Sequence, residues 1–425
     1  MSLCAAFAWN IQSMIAFRFF QGLLGGSMIP TTTGALYMLF PKEKQMGAQV
    51  VVGLVSTMAP VVGPTLGGYL TEIFSWHWLF LINIVPGILI CLGVYKFVHI
   101  DKPDYSLLQK IDYLGITSMA VFLGGLEYCL EEGPRHNWFE EHAILYFAIA
   151  SVLGAVIFFY RAFTAEVPVV DLGSFKDKNF TLASVFSFVL GIALYGSNFA
   201  MPLYLGQIRG YSALQIGQLM AVSGIVMFFV APVIGKASSA FPKKYVVLVG
   251  LALLAASCFI SGHMDTQWGF SEMLVPQLLR GTGLVCCFIP LSALALGTVA
   301  PAQIKSAASL FNLMRNLGGA FGLAYLNTLL STRQQYHWQQ LINDISLSRS
   351  EVTNTLSATS AQFTAQGIGN PMASAIQSIA ARLHEQALVL TYNDLFITIA
   401  LLSAATLVVI PFLTESETAV EADVH

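Results

Sequence analysis

Three arginines stand inside long apolar stretches of this sequence: Arg18, Arg280 and Arg315. A guanidinium in the middle of a bilayer costs about 2.5–3.5 kcal/mol on insertion scales, so one that is kept there has a role to explain. Gln21 lies one helical turn beyond Arg18 and shares its face. Arg18 could carry a function, or it could be a structural tether that bonds backbone carbonyls. Arg315 sits within "NLMRN", where Asn312, Arg315 and Asn316 fall on one turn. That cluster could hold a helix partner by hydrogen bonds or contact a passenger. Arg280 lies near the end of its stretch, where a long side chain can snorkel to the interface. Asn198 is a further isolated polar residue in an apolar stretch.

Proton chemistry needs a carboxylate that cycles between its two forms. The acids fall almost entirely in connections. The exceptions are Glu127, about one turn inside its stretch, Asp394 near the start of the last one, and Glu272 at a stretch edge. Desolvation would raise the pKa of Glu127 without making it accessible. The histidines lie in connections or near ends, and no metal triad is evident. "HEQAL" begins like a zinc-protease motif, but Leu388 stands where the second histidine belongs. "GYSAL" is not a nucleophile elbow. The six cysteines form no C-x-x-C pair and read as small buried hydrophobes. No cofactor and no intramembrane enzyme is indicated. Rings of acids and filter-like carbonyl loops, which a channel would need, are not evident either.

The elements that must position these residues are membrane spans. The chain of 425 residues is 56% hydrophobic and 10% charged, with mean hydropathy +0.69. Soluble domains carry about 25% charged residues. No charge block suggests a nucleic-acid partner. A bilayer-spanning helix needs about 20 apolar residues. Eleven stretches qualify, near 11–38, 46–71, 78–98, 112–131, 142–163, 180–205, 214–236, 244–262, 272–299, 304–331 and 390–413, and residues 2–9 read as the tail of an earlier one. Lys42, Lys44, Lys96, Lys102, Lys110, Arg161, Lys176, Lys178, Lys236, Lys243, Lys244 and Lys305 fall in one alternate set of connections, against only Arg135 and Arg209 in the other set of short loops. The first set is therefore expected in the cytoplasm, with the acidic C-terminus. The organisation expected is a partial N-terminal bundle at 1–98, two linker spans at 99–179, a six-span bundle at 180–413 with a long external connection at 332–389, and a tail at 414–425. Within that connection, Asn370 can cap a helix that starts at Pro371 and runs on into the last span.

Residues 59–68, "APVVGPTLGG", place Pro60, Gly63, Pro64, Gly67 and Gly68 inside one span. Small residues at helical spacing let helices approach closely in lipid, and the two prolines allow a bend. A weak repeat pairs Pro30 and Pro41 with Pro290 and Pro301, each pair eleven apart after a Gly-bearing stretch. Aromatics and methionines that could line a path for greasy cations are Phe186, Phe188, Tyr195, Phe199, Met201, Tyr204, Met220, Met227 and Phe228; core or lipid-facing packing is the alternative for each.

"APVVGPTLGG" is similar to the antiporter motif of the fifth span of the major facilitator superfamily, with Ala59 in place of its first glycine. "RFFQGLLGG" resembles that family's fourth-span signature. "PVVDLGSFKDKNF", the two spans before it and the long connection before the last span resemble the fourteen-span drug:proton antiporters of the EmrB/QacA type. The resemblance implies an all-α polytopic bundle of which about eleven complete spans, the fourth to the fourteenth, are present. It implies alternating access, a hydrophobic or cationic substrate exchanged for protons across the inner membrane, and in Gram-negative members a periplasmic adaptor with an outer-membrane channel. It places Arg18 at a position thought to take part in proton transfer, and Glu127 in a linker span away from the path. Another amphipathic solute, or a truncated non-transporting remnant, is the alternative reading. The first-span carboxylate that commonly serves proton coupling in this subfamily is not in the sequence.

Overall fold

The computed structural model describes residues 1–26, 28–98, 112–165, 168–299, 303–345, 350–367 and 369–413. Every regular element among them is helical. In chain order these are α1 (Ser2–Ala6), α2 (Ile11–Gly26), α3 (Met28–Leu39), α4 (Lys42–Ile73), α5 (Trp78–Leu81), α6 (Ile84–Phe97), α7 (Tyr113–Glu132) and α8 (His142–Thr164). Then follow α9 (Lys178–Gln207), α10 (Ala213–Ala240), α11 (Lys243–Ser261), α12 (Phe270–Gly297), α13 (Ile304–Asp344), α14 (Ser350–Ala365) and α15 (Pro371–Leu407).

The eleven expected stretches are helical over nearly all of their described residues. The stretch 11–38 falls on α2 and α3, on either side of residue 27, which lies outside the described residues. The stretch 78–98 is α5 and α6 with a turn at Ile82–Asn83. Among the described residues, eight helices are long and apolar enough to cross a membrane by themselves. α13 is longer than most, but the polar residues of "NLMRN" and of its second half dilute its hydropathy. The long connection is itself helical. α13 continues to Asp344, α14 follows, and α15 runs as one rod from Pro371. The Asn370 side chain accepts from the Ala373 N–H, as a cap should.

Three other long helices, α7, α9 and α10, start just as locally. Asp112 caps α7 by accepting from Gly115 N–H at 2.9 Å. Asp177 caps α9 through Phe180 N–H at 2.7 Å. Ser212 and Gln215 form a reciprocal capping box at the start of α10. Each satisfies backbone donors that lipid could not.

α9 to α13 and α15 pack into one bundle, with the tightest seams between α11 and α12 and between α9 and α13. α7 and α8 form a hairpin that packs mostly on itself and leans on α13. α4 lies along α10 and joins the first part of the chain to this bundle. The buried core of the bundle comes in two apolar clusters. One holds Phe180, Leu190, Leu251, Phe288 and Phe311. The other holds Met201, Tyr204, Met273, Tyr392 and Phe396.

Candidate transport path

On four helices of the bundle a polar residue falls between the two clusters. On α9, Leu194 belongs to the first cluster and Ala200 to the second. Ser197 and Asn198 lie between them, Ser197 buried and Asn198 half-buried. Ser223 separates Leu219 from Met227 on α10, and Gln277 and Arg280 separate Met273 from Leu284 on α12. On α13, Asn312, Arg315 and Asn316 follow Phe311. The result is a polar layer across the middle of an apolar bundle, at the depth where carriers bind their passengers.

Arg280 does not snorkel, contrary to the expectation from its place near the end of its stretch. It is 3% exposed. Its guanidinium donates to Ser197 Oγ at 3.3 Å and to Ser223 Oγ at 3.0 Å, linking α9, α10 and α12. Its Nε has no hydrogen-bond partner. Gln277, one turn earlier, is 1% exposed, and both of its amide heteroatoms are likewise unpartnered. The face of α12 that carries them points into the bundle, toward α9 and α10, so the stem runs inward. Sequence reasoning missed Gln277, Ser197 and Ser223. The signal was available: Gln277 and Arg280 repeat, in reverse order, the three-residue spacing of Arg18 and Gln21.

Asn312, Arg315 and Asn316 lie together on α13. Arg315 donates to Asn312 Oδ1 at 2.6 Å, and Asn312 donates to the Ala308 carbonyl at 3.0 Å. Tyr195 on α9 donates to Asn316 Oδ1 at 3.3 Å. The Arg315 guanidinium lies 5.3 Å from the Phe288 ring centre on α12. α9 and α13 can come this close because glycines face them. A Cβ at Gly318 would overlap the Phe188 carbonyl, one at Gly191 the Arg315 carbonyl, and one at Gly319 the Tyr195 ring. Among the described residues neither Arg280 nor Arg315 is ion-paired with a carboxylate. The layer offers hydrogen-bond donors and positive charge in a low-dielectric setting, and it contains no titratable acid.

Arg18 and Gln21 also meet, at 3.2 Å. Gln21 donates onward to Ser2 Oγ at 2.9 Å, and Arg18 stacks over Phe80 at 4.6 Å. Arg18 itself is exposed. The structure does not bring this pair to the polar layer. Glu127 is exposed on α7, hydrogen-bonds to no described residue, and stands outside the layer too. Asp394 is engaged elsewhere: its Oδ2 accepts from Arg333 at 2.6 Å and pairs with His337 Nε2 at 2.7 Å, tying α13 to α15. Asp394 holds the Arg333 pKa above its ordinary value through that hydrogen bond. Among the described residues no group of three His, Cys, Asp or Glu could hold a metal.

The small-residue stripe on α4 is used unevenly. The side chain of Pro60 lies outside the described residues, while the helix backbone is continuous through it and Pro64. Gly63 has open space around it, and Gly67 would meet only Leu79, at 3.6 Å. Gly68 is the tight one, since a Cβ there would overlap the Ala213 carbonyl at the start of α10. One turn on, Gly217 abuts Thr65, whose hydroxyl donates to the Gly217 carbonyl at 2.7 Å. Glu72 accepts from Leu214 N–H at 2.8 Å and so caps α10 from α4. The α4–α10 seam is thus made at Thr65, Gly68 and Glu72 rather than along the whole stripe. Of the apolar lining candidates, Phe186, Met201, Tyr204, Met220 and Met227 are core residues at 0–2% exposure. Phe228 is exposed, and Tyr195 joins the polar layer.

Comparison with known proteins supplies the family. Residues 1–323 match the model described as Major Facilitator Superfamily. The chain is 41% identical over 405 residues to the colistin resistance protein EmrB of Acinetobacter baumannii, covering 95% of this chain and 79% of that one. It is 29% identical to the fatty acid resistance protein FarB of Neisseria gonorrhoeae, over 91% of this chain and 75% of the other. It is 25% identical to the multidrug export protein EmrB of Escherichia coli, over 91% and 74%.

Proposed function

Because the chain belongs to the major facilitator superfamily, we propose that it is a multidrug efflux carrier that exchanges hydrophobic or cationic compounds for protons across the inner membrane. The observation that carries this reading is the mid-bundle polar layer, enclosed above and below by apolar core. Such a layer is a poor stabiliser, because polar groups there are incompletely paired. It is a good place for a passenger whose polar group must be recognised while its apolar body is buried. Relatives named as a multidrug export protein and a probable multidrug resistance protein support the same reading.

On this reading, Asn198, Asn312, Arg315 and Asn316 contact the passenger. Arg18 and Gln21 serve the proton side, with Glu127 as the more remote acid. Of the motif residues Pro60, Gly63, Pro64, Gly67 and Gly68, Gly68 and Pro64 meet α10 at the seam about which the two parts rock. The C-terminus is cytoplasmic, and a periplasmic adaptor with an outer-membrane channel completes export.

A second reading has its own observation. Arg280 and Arg315 bring cationic donors to the layer with no carboxylate beside them, which favours the acidic end of an amphipathic solute. The relative named for fatty acid resistance points the same way. Everted membrane vesicles containing the protein separate the readings. Addition of a lipophilic cation should release protons from acidified vesicles under the first, and addition of a long-chain carboxylate under the second. No release with either compound would remove both.

A further inference from the structure

We propose that the cleft between the α7–α8 hairpin and α13 is a binding site for one anionic phospholipid, with an acyl chain in the cleft and the headgroup on Lys176. The cleft encloses about 500 Å³, within the range of about 300–1,000 Å³ typical of small-molecule sites. Its wall is aromatic and aliphatic: Phe122 from α7, Phe158 and Phe159 from α8, Phe175 from the following short helical turn, and Leu313 and Met314 from α13. Lys176 is its single polar lining residue. An apolar slot with one cation at its edge has the pattern of an amphiphile with a chain and a negative head.

The charges at this end of the hairpin sharpen the assignment. Asp112 is taken by Arg161, at 2.9 Å. Asp171 accepts from Gly173 N–H and Gln303 Nε2, both at 2.8 Å. Asp177 accepts from Phe180 N–H at 2.7 Å and Thr298 Oγ1 at 2.8 Å. Lys176 is exposed and forms no hydrogen bond or ion pair with a described residue. Asp112, Asp171 and Asp177 have protein partners and this cation has none among the described residues, so its counter-charge is free to come from outside.

The cleft is not part of the transport path. Leu310, Leu313, Met314 and Leu317 line it at helical spacing along one side of α13. Asn316 is held toward Tyr195 of α9 by its hydrogen bond, and Arg315 toward Phe288 of α12. An occupant therefore sits on the opposite side of α13 from the polar layer. Since the hairpin packs mainly on itself, a bound acyl chain would supply much of the material joining it to the bundle.

The test uses the full chain, extracted from membranes and reconstituted with equal amounts of phosphatidylglycerol and phosphatidylethanolamine, then measured by native mass spectrometry. The wild type should retain one phosphatidylglycerol, at least fivefold over phosphatidylethanolamine. Lys176→Gln changes an exposed residue and should abolish that preference. Leu313→Trp fills the cleft and should retain neither lipid while staying monodisperse. Equal phosphatidylglycerol preference in wild type and Lys176→Gln would overturn the proposal. So would lipid retention by a folded Leu313→Trp variant. Should that variant not fold, Met314→Trp serves as the second filling probe. Displacement of the lipid by tetraphenylphosphonium would make the cleft a passenger site instead, and preferential retention of oleate would make the ligand a free fatty acid; either result contradicts the phospholipid assignment.

Discussion

At the residue scale, the informative group is Arg280. A buried guanidinium held by two serine hydroxyls, with its Nε and the whole Gln277 amide unpartnered, is an expensive arrangement. Replacing a buried ion pair by well-packed apolar residues is often neutral or stabilising by about 1–4 kcal/mol, and without Arg280 the Ser197 and Ser223 hydroxyls keep the Leu194 and Met220 carbonyls as partners. Arg280→Met should therefore keep or raise the melting temperature while lowering transport at least tenfold. A purely structural Arg280 would show the opposite: lower stability, with transport per folded molecule intact. Lysine at this position should not restore transport, since one ammonium cannot span both hydroxyls in the guanidinium's geometry. Arg18 differs in being exposed and linked to Gln21 and Phe80. Arg18→Ala should leave substrate binding in place and reduce proton-driven uptake into everted vesicles, with Lys restoring it only in part. Unchanged uptake in Arg18→Ala would show that the contacts are only a tether.

At the element scale, two seams make separable predictions. Along α4, alanine at Gly68 would drive a methyl into the Ala213 carbonyl. Overpacking of that kind costs about 1–3 kcal/mol. Gly68→Ala should lower the melting temperature and transport together. Gly63→Ala should stay within about 0.5 kcal/mol, because nothing lies within 4 Å of its Cβ position. Equal effects in melting curves would contradict the seam as described. In the hairpin, the Arg161 guanidinium beside Asp112, with help from Gly115 N–H, holds that carboxyl below its usual range. A lowered folded-state pKa adds stability that is present above the ordinary value of about 3.9 and is lost as pH falls through the native one. Hairpin stability should be flat from neutral pH down to about 5 and should fall below about 4. Asp112→Asn should be less stable at neutral pH and lose that acid-side slope, which melting curves across this range would show. These elements were largely legible in the sequence. Asp112, Asp177, Ser212 and Asn370 cap where local chemistry says they should. Which glycine touches a neighbour was not legible, because Gly63 and Gly68 both belong to the small-residue motif and only the position of α10 distinguishes them. Arg280 was misread for a related reason: distance along a helix does not reveal whether its face points to lipid or into a bundle.

At the scale of the whole molecule, the account is a rigid C-terminal bundle with a polar middle, joined to the first part of the chain along α4 and α10. Glu72 and Thr65 reach across that seam, and Gly68 and Gly217 allow it to close. Such a joint, with few side chains between backbones, suits rocking of two packed units more than local unfolding. At the far end Asp394, Arg333 and His337 pin α13 to α15, so those helices should move as one body. The central claim is that the polar layer recognises a passenger whose movement is tied to protons. Its most direct test is proton release from acidified everted vesicles on addition of substrate, compared between wild type and Arg315→Ala at equal protein in the membrane. The account predicts substrate-dependent release in the wild type and at least a tenfold loss in Arg315→Ala, with normal insertion. Equal proton release from the two proteins would contradict it.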